Sequence, residues 1–305
     1  MSYICADRGT DCCPCALMEA GQCYTCGMIS RGKCDCNSGW QGVCPYSEYV
    51  MRGKASSPGK ADRPFTVEEK EDFAPDFSVV RLGAPRGFSL KCRRPGSFIM
   101  VKSGSWFTPL SVMTCGGESV SVAVNAAGPK TMEILRRTAT GTVWEIRGPF
   151  NSGLIGGENI DSKAPSLIAA RGMALMPLLN IKEQLSGKIK KFYFDPGRLP
   201  HDFIAKYAKG FEWEETAMDT EAEAVAEKII SGFEDCMRHA GRRPNVFIMV
   251  SPYYEEKLRT ALSASNITTI RPNHSNMCCG EGLCGACSYT DEEGVTVRKC
   301  KCFDM

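Results

Sequence analysis

The alternation of hydrophobic and polar positions predicts a β-rich segment over residues 74–160. Short apolar runs recur there, and Gly, Pro and Asn separate them at close intervals. Regular short strands without helices between them are typical of a small antiparallel barrel. The predicted strands are Ser78–Leu82, Ser97–Lys102, Ser119–Val124 and Thr142–Arg147.

Over residues 161–272 the pattern changes to alternating strands and helices. Apolar runs typical of buried parallel strands alternate there with segments of helical periodicity. The predicted strands are Ser166–Ala170, Lys190–Phe194, Val246–Val250 and Thr268–Ile270, and the predicted helices are Ala174–Leu185 and Thr220–His239. We therefore expect a doubly wound parallel sheet, in which ligands bind beyond the carboxyl ends of the strands.

The second of these helices has its own sequence signals. Thr220 and Glu223 form a capping-box pattern, which predicts where the helix begins. Apolar residues then recur at every fourth position and predict one buried stripe. The stripe consists of Val225, Ile229, Phe233 and Met237.

Two cysteine-rich segments flank this two-domain core. Of the 18 cysteines, nine fall in the first 44 residues and six in residues 278–302. The N-terminal segment has few aliphatic residues, so metal must take the place of a hydrophobic core there. The predicted organisation is a metal module over 1–51, a linker over 52–73, a barrel over 74–160, an α/β domain over 161–272 and a cluster domain over 273–305.

Composition and charge narrow the classes of function. The 305-residue chain has a net charge of +2, which gives no electrostatic basis for binding nucleic acid or an anionic membrane. The first residues lack an apolar leader with a cleavage site, and no apolar run reaches membrane-spanning length. We expect a cytoplasmic protein without membrane insertion, and in that reducing compartment dense cysteine indicates metal or redox chemistry.

Four cysteines near the C-terminus have the ligand spacing of a plant-type 2Fe-2S cluster. The first three follow C-x4-C-x2-C in a glycine-rich loop, and glycine allows the positive φ angles with which a loop wraps a cluster. Zinc usually takes paired C-x2-C units with a longer spacer, so the spacing favours the cluster over zinc. Neighbouring Cys278 and Cys302 leave the first and last ligands open. The predicted ligands are Cys279, Cys284, Cys287 and Cys300.

The N-terminal cysteines include three chelating pairs. Two C-x-C pairs and one C-x-x-C pair, with a further cysteine on either side, supply eight ligands, enough for two four-thiolate sites. The predicted ligands are Cys5, Cys13, Cys15, Cys23, Cys26, Cys34, Cys36 and Cys44. One or two iron-sulfur clusters here would extend an electron path, whereas structural zinc would make the segment a docking module.

A barrel, an α/β domain and a C-terminal 2Fe-2S loop follow one another in the ferredoxin-reductase superfamily. Over residues 75–305 the chain resembles the electron-transfer subunit of dihydroorotate dehydrogenase and the small subunit of NADH-dependent ferredoxin:NADP oxidoreductase. The cysteine loop is the most specific match. Thr108–Ser111 corresponds to the flavin motif R-P-x-S, Gly128–Thr131 to G-x-G-T, and residues 167–177 to the nucleotide loop G-G-x-G-x-A-P.

The resemblance implies an FAD site and an NAD(P) site. FAD would contact Thr108, Pro109, Leu110, Ser111, Lys130 and Thr131, and NAD(P) would contact Arg171 and Gly172. Thr108 stands where the flavin motif has arginine, which removes a strong phosphate ligand. Ala170 and Arg171 replace the diglycine and obstruct close approach of a dinucleotide, although Arg171 could itself meet a phosphate. FAD binding and direct NAD(P)H oxidation therefore both stay open.

Together these features predict the electron-transfer subunit of an oxidoreductase complex. It would relay electrons between a flavin or nicotinamide donor and a catalytic partner subunit, with ferredoxin as one candidate partner. We assign no catalytic residues, because no set for acid–base or nucleophilic chemistry on a substrate is visible. Two other interpretations stay open: a docking subunit with zinc-bound ends and degenerate nucleotide pockets, and a stand-alone NAD(P)H:acceptor reductase.

Overall fold

The cysteine-rich N-terminal segment has little regular structure. The computed structural model of the protein describes residues 3–34, 44–292 and 294–304. The elements of the first segment are β1 (Tyr3–Cys5), α1 (Ala16–Glu19), α2 (Gly27–Arg31) and α3 (Pro45–Met51). Leu17, Met18 and Cys26 are its buried apolar side chains among the described residues. They are too few for a hydrophobic core of its own, which agrees with the sequence analysis.

Six antiparallel strands close into a barrel in the order β2-β3-β6-β5-β4-β7. They are β2 (Arg63–Ala74), β3 (Phe77–Gly83), β4 (Phe98–Ser103), β5 (Trp106–Gly116), β6 (Ser119–Asn125) and β7 (Val143–Phe150). Helices α4 (Arg86–Lys91) and α5 (Pro129–Arg137) lie in two connections. Val67, Val80 and Val112 help to fill the interior, because alternate strand residues face inward. The predicted antiparallel barrel is confirmed.

The second domain is a parallel sheet in the order β11-β10-β9-β12. The strands after the barrel are β8 (Leu154–Ile155), β9 (Ser166–Arg171), β10 (Ile189–Asp195), β11 (Glu214–Glu215), β12 (Asn245–Met249) and β13 (Arg271–Pro272), with β8 pairing to β13. The helices are α6 (Met176–Asn180), α7 (Lys182–Leu185), α8 (His201–Tyr207), α9 (Met218–Ala240) and α10 (Pro252–Ala264). Helices α6 and α8 cover one face, and α9 and α10 cover the other. The doubly wound sheet is confirmed.

The two ends of the chain meet in one small sheet. After α10 come β14 (Ser288–Thr290), β15 (Thr296–Arg298) and β16 (Cys302–Asp304). Strands β14 and β15 form a hairpin, and β16 pairs antiparallel with β1, which puts Cys5 opposite Cys302. The two cysteine-rich segments are therefore parts of one structural unit.

The barrel and the α/β domain share a hydrophobic core. Phe77 and Met113 of the barrel pack with Phe203 of α8, and the rings of Phe77 and Phe203 lie 4.9 Å apart. At the edge of this interface Glu71 accepts hydrogen bonds from Lys206 at 2.7 Å and from the Tyr207 hydroxyl at 3.0 Å. Apolar packing thus holds the two domains together, and hydrogen bonds lie at the edge of their interface.

Two predicted segments differ from the structure. Residues 63–74 form the first barrel strand, so the predicted linker over 52–73 ends near residue 62. Residues Thr268–Ile270 form no strand, and Ile270 makes a single parallel bridge to Phe247. Both errors arose because the short or charged segments gave a weak apolar pattern, although neighbouring strands pair with them.

The predicted helices also differ in their bounds. Ala174–Leu185 is divided into a 3₁₀ turn over Gly172–Leu175 followed by α6 and α7. Helix α9 begins at Met218 rather than at the predicted Thr220–Glu223 capping box, because the Glu221 carboxylate accepts the N–H of Ala217 at 2.8 Å.

The predicted apolar stripe of α9 is only partly buried. Val225 and Ile229 are fully buried against the sheet, and Phe233 is partly covered, but Met237 is 45% exposed. The helix therefore leaves the sheet surface near its end. Within the described part of the chain, no helix combines the length and the apolar character needed to cross a membrane.

Candidate functional site

The four predicted C-terminal ligands lie together around the β14–β15 hairpin. The thiol of Cys300 lies close enough to Cys279 and Cys287, and that of Cys284 close enough to Cys279, for each to shift the other's pKa. Hydrogen bonding by the Cys300 thiol lowers the pKa of Cys279 and of Cys287, and it raises the pKa of Cys300 itself. The N–H of Cys300 also donates to Cys287 Sγ at 3.4 Å. Burial raises the pKa of Cys284 as well, so the loop favours the thiolate, the form in which cysteine binds metal, at Cys279 and Cys287.

Glycines allow the cysteine loop to fold tightly against the barrel. Gly280 and Gly282 have φ angles of 70° and 75°, in the left-handed region that favours glycine. A Cβ atom on Gly280 would lie 2.4 Å from the Phe150 ring, so the loop backbone is in direct contact with the barrel. The N–H of Glu281 donates to Cys279 Sγ at 3.3 Å. Such N–H···S bonds stabilise negative charge on a cluster and tune its potential.

The donor set of this loop fits an iron-sulfur cluster. Among the residues that the structure describes, no three Cys, His, Asp or Glu side chains are already arranged as a metal site. The four thiols nevertheless lie close together, and backbone N–H groups donate to two of the sulfurs. The neighbouring Cys278 is exposed, and Cys302 donates to the carbonyl oxygen of Arg298 at 3.4 Å.

The charges of four predicted N-terminal ligands influence one another's pKa. Burial, followed by the charges of Cys23 and Cys15, raises the pKa of Cys13 to about 11. Burial likewise raises the pKa of Cys23, with contributions from Cys26 and Cys15. Thiolates that repel one another at short range are stabilised by a metal cation between them. The thiols of Cys13, Cys15, Cys23 and Cys26, here called the N-terminal four-thiol group, thus lie near enough for their charges to interact, although no three of the described side chains are already placed as a metal site.

The other predicted N-terminal ligands lie elsewhere or outside the described residues. Cys5 lies on β1, where burial and the Asp7 carboxylate raise its pKa. Cys34 is exposed beyond α2, and Cys44 precedes α3. Cys36 lies outside the described residues. Charge interactions thus link four of the eight predicted thiols, and the ligand assignment stays a prediction.

A buried charge network, formed by Asp7, Lys60, Glu281 and Lys301, joins the two cysteine-rich segments. Lys301 is completely buried, and its ammonium group donates to Asp7 and, at 3.3 Å, to Glu281. The Lys60 ammonium lies 3.3 Å from Asp7, and the Lys60 N–H donates to Glu281 at 3.0 Å. Two cations balance two carboxylates, which satisfies the requirement that buried charges be paired.

Tyr24 and Leu17 also bridge the two segments. Tyr24 stands inside the N-terminal C-x-x-C pair, and its pKa is raised to about 12 by burial and then by the charge of Cys302, with Cys287 contributing. A Cβ atom on Gly282 would lie 3.1 Å from Leu17 Cδ1. The N-terminal and the C-terminal thiols therefore lie on opposite sides of one contact, in which Tyr24 and Leu17 meet the C-terminal segment.

The predicted FAD residues on β5 do not share one face. Because side chains alternate along the strand, Thr108 and Leu110 are buried toward the barrel interior, whereas Pro109 is exposed and Ser111 is partly exposed. Thr108 Oγ1 has no hydrogen-bond partner among the described residues. Ser111 lies opposite Phe98, on the outer face that also contacts the cysteine loop. Pro109 and Ser111 are thus the residues of this motif that a cofactor outside the barrel could reach.

The other predicted FAD residues begin α5. The Thr131 hydroxyl accepts from the Gly128 N–H at 3.2 Å and so caps its own helix. The Lys130 ammonium lies 5.1 Å from the centre of the exposed Trp106 ring. Lys130 is the one cation among the six predicted FAD contacts. The predicted set therefore fits FAD only in part: Thr108 and Leu110 face the barrel interior, and the remaining residues offer little charge to oppose a pyrophosphate.

A cavity of about 1280 Å³ opens at the carboxyl ends of β9, β10 and β12. This is where a doubly wound sheet binds its ligand. Arg171, predicted to contact NAD(P), pairs through Nε with Asp195 at 2.7 Å and through Nη2 with Asp219 at 3.2 Å. Its guanidinium carbon lies 4.6 Å from the centre of the Tyr254 ring. Gly172 also lines the cavity, but Arg171 is engaged by the protein itself.

Comparison with solved structures identifies the fold. NADH-dependent reduced ferredoxin-NADP oxidoreductase, solved in a study of flavin-based electron bifurcation, is similar with a TM-score of 0.58 at 16% identity, over 77% of this chain and 85% of that chain. Phthalate dioxygenase reductase is similar with a TM-score of 0.50 at 16% identity, over 79% and 95%. No protein-family model matches the sequence, and no curated protein is significantly similar to it. The chain therefore shares the fold of these two reductases.

Proposed function

We propose that this protein is an electron-transfer component of an oxidoreductase and relays single electrons through a 2Fe-2S cluster. The observation that carries the proposal is a glycine-rich loop in which four thiols lie close enough to shift one another's pKa and backbone N–H groups donate to two of the sulfurs. Bound there, the cluster supplies reversible one-electron chemistry. The backbone N–H of Glu281 would stabilise its negative charge. The ligands would be Cys279, Cys284, Cys287 and Cys300.

The N-terminal four-thiol group would hold a second centre. Its contact with the C-terminal loop through Tyr24 and Leu17 supports an iron-sulfur centre over structural zinc, because adjacent redox centres can exchange electrons. This centre would be bound by Cys13, Cys15, Cys23 and Cys26. A further site remains a candidate for Cys5, Cys34, Cys36 and Cys44.

Electrons would pass between this protein and a redox partner, either a catalytic subunit or ferredoxin, in the cytoplasm. Phthalate dioxygenase reductase, which has the same fold, is described as a modular structure for electron transfer from pyridine nucleotides to [2Fe-2S]. The other similar structure is a ferredoxin-NADP oxidoreductase. The reaction of the partner would be performed by the partner's own residues.

FAD would convert two-electron to one-electron transfer on the outer face of the barrel. Pro109, Ser111 and Lys130 would hold it, and the stacked Phe98 and Phe150 rings, 5.2 Å apart, would exclude water beside it. Phe150 also touches the cysteine loop, so a flavin on this face would lie close to the 2Fe-2S ligands.

The visible spectrum of anaerobically purified protein tests the proposed function. Relay through clusters predicts broad brown absorption from about 400 to 600 nm that bleaches with dithionite. Additional flavin peaks would support bound FAD. Colourless protein with stoichiometric zinc would overturn the relay and support a docking subunit instead.

A further inference from the structure

The cavity beyond the parallel sheet is crossed by an arginine clasp, formed by Arg171, Asp195, Asp219 and Tyr254. Arg171 ends β9, Asp195 ends β10, Asp219 lies in the first turn of α9, and Tyr254 lies in the first turn of α10. Besides its two ion pairs, the Arg171 guanidinium stacks on Tyr254. The clasp thus connects four elements across the carboxyl edge of the sheet.

Each member of the clasp is held by further contacts. The two Asp195 oxygens accept the N–H groups of Gly197 at 2.8 Å and of Met218 at 2.9 Å. The Tyr254 hydroxyl donates to Asp219. Asp195 is buried, with an 11% exposed side chain, so its carboxylate is anchored where Arg171 meets it. If Arg171 turned toward a ligand, the buried Asp195 carboxylate would lose its cation and keep only its two backbone N–H donors, which opposes that movement.

The charge of the cavity opposes a dinucleotide. A pyrophosphate needs free N–H groups or cations, which the diglycine and helix start provide in dinucleotide-binding folds. Here the Arg171 side chain fills that approach and its charge is already neutralised. The charged residues that line the cavity are Asp195, Glu215, Asp219, Glu221, Arg171 and Arg198. Carboxylates thus outnumber guanidinium groups around the space that a pyrophosphate would occupy.

We infer that Arg171 closes this cavity to NADH and NADPH, and that electrons enter the protein by another route. Arg171 is then the residue that determines specificity at this cavity, by excluding nicotinamide dinucleotides from a fold whose sheet edge could accept them. The inference goes beyond the proposed function, since it removes one class of donor and depends on no metal centre.

Titration of NADH and NADPH into the purified full-length protein by calorimetry tests the inference. The unaltered protein should bind neither nucleotide with a dissociation constant below about 1 mM. The double variant Ala170→Gly/Arg171→Gly restores the diglycine and should bind NADH at least about tenfold more tightly. NADPH should stay weak, because the released Asp195 can accept ribose hydroxyls but repels a 2′-phosphate.

Arg198→Gly is the matched control, because it removes an exposed cation from the same cavity without touching the clasp. It should leave nucleotide binding unchanged. Micromolar binding by the unaltered protein, or loss of binding when Arg171 is removed, would show that Arg171 meets a phosphate and would overturn the inference. A folded double variant without any gain would also overturn it. Cluster content does not enter this titration, so its failure is distinguishable from failure of the proposed function.

Discussion

At the scale of single residues, Lys301 is the side chain whose burial most needs compensating charges. It is completely buried, and it offsets Asp7 of the N-terminal segment and Glu281 of the cysteine loop. Lys301→Met should lower the free energy of unfolding by about 3–5 kcal/mol, because two buried carboxylates would face one remaining cation. Urea unfolding measures this change.

The matched control is Lys299→Met. The Lys299 ammonium lies 4.2 Å from the Tyr289 ring centre, is only partly covered and, among the described residues, pairs with no buried carboxylate. Its loss should cost about 1 kcal/mol or less. Equal destabilisation by the two variants would mean that the buried charge network does not hold the segments together.

A second residue-scale prediction concerns the cluster ligands. Cys284→Ser should abolish the 2Fe-2S spin-resonance signal of the reduced protein and leave the signal of the N-terminal centre, because each centre would have its own thiols. Cys278→Ser, at an exposed neighbouring thiol, should leave both signals. Retention of the 2Fe-2S signal in the Cys284 variant would refute the ligand assignment.

Site residues could be predicted where the pattern that marks them lies within a short stretch of sequence. Cys279, Cys284 and Cys287 are close in sequence, so their spacing alone pointed to a shared centre. Lys301 and Asp7 are 294 positions apart, and nothing local to either residue indicates the other. The inward orientation of Thr108 follows from the register of β5, which the sequence motif alone does not specify.

At the scale of elements, Glu255 joins α10 to the segment at β13. Its carboxylate lies 2.7 Å from Arg271 and 3.2 Å from His274. Burial opposes its charge, but His274 and Arg271 outweigh burial and lower the pKa of Glu255. The stabilisation is therefore present above the ordinary pKa of 4.5 and is lost as the pH falls through the lower folded-state pKa.

Glu255→Gln should accordingly cost about 1.5–3 kcal/mol at pH 7. The difference from the unaltered protein should narrow as the pH drops below 4.5. Urea midpoints across this range measure the effect. Glu256→Gln, at the exposed neighbour with a 68% exposed side chain, should change stability by less than about 0.5 kcal/mol at every pH. A pH-independent difference for Glu255→Gln would contradict the assignment.

Strands were predictable where a run of hydrophobic residues marks them in the sequence. Strands β3, β6 and β9 are buried runs, and the sequence located each within about a residue. Strand β2 was missed because most of its residues are charged or partly exposed, so pairing with β3 and β7 rather than its own pattern creates it. Helix α9 starts early because the side chain of Glu221 caps it.

At the scale of the whole molecule, Phe203 connects the barrel to the α/β domain. It is completely buried and contacts the rings of Phe73 and Phe77. Phe203→Ala should lower the free energy of unfolding by about 3–5 kcal/mol, since the cavity would open at the domain interface. Tyr253→Ala, at a 63% exposed ring, should cost far less in the same urea experiment. Similar costs would argue against a shared core.

The meeting of the chain ends could not be predicted from sequence. Strands β1 and β16 are three residues each, too short for a periodic signal, and their pairing depends on the buried charge network. The order of the barrel and the α/β domain was predictable because each has its own sequence pattern. Short strands follow one another in the first, and strands alternate with helices in the second. The contact between the N-terminal and C-terminal cysteine segments, on which the proposed electron path depends, is visible only in the structure.

Iron, acid-labile sulfide and spin-resonance measurements on oxygen-protected, dithionite-reduced protein test the central proposal most directly. Relay through the cysteine loop predicts at least about two irons and two sulfides per chain, with a 2Fe-2S signal that disappears in Cys284→Ser. Protein that contains neither iron nor sulfide when isolated without oxygen would contradict the proposal.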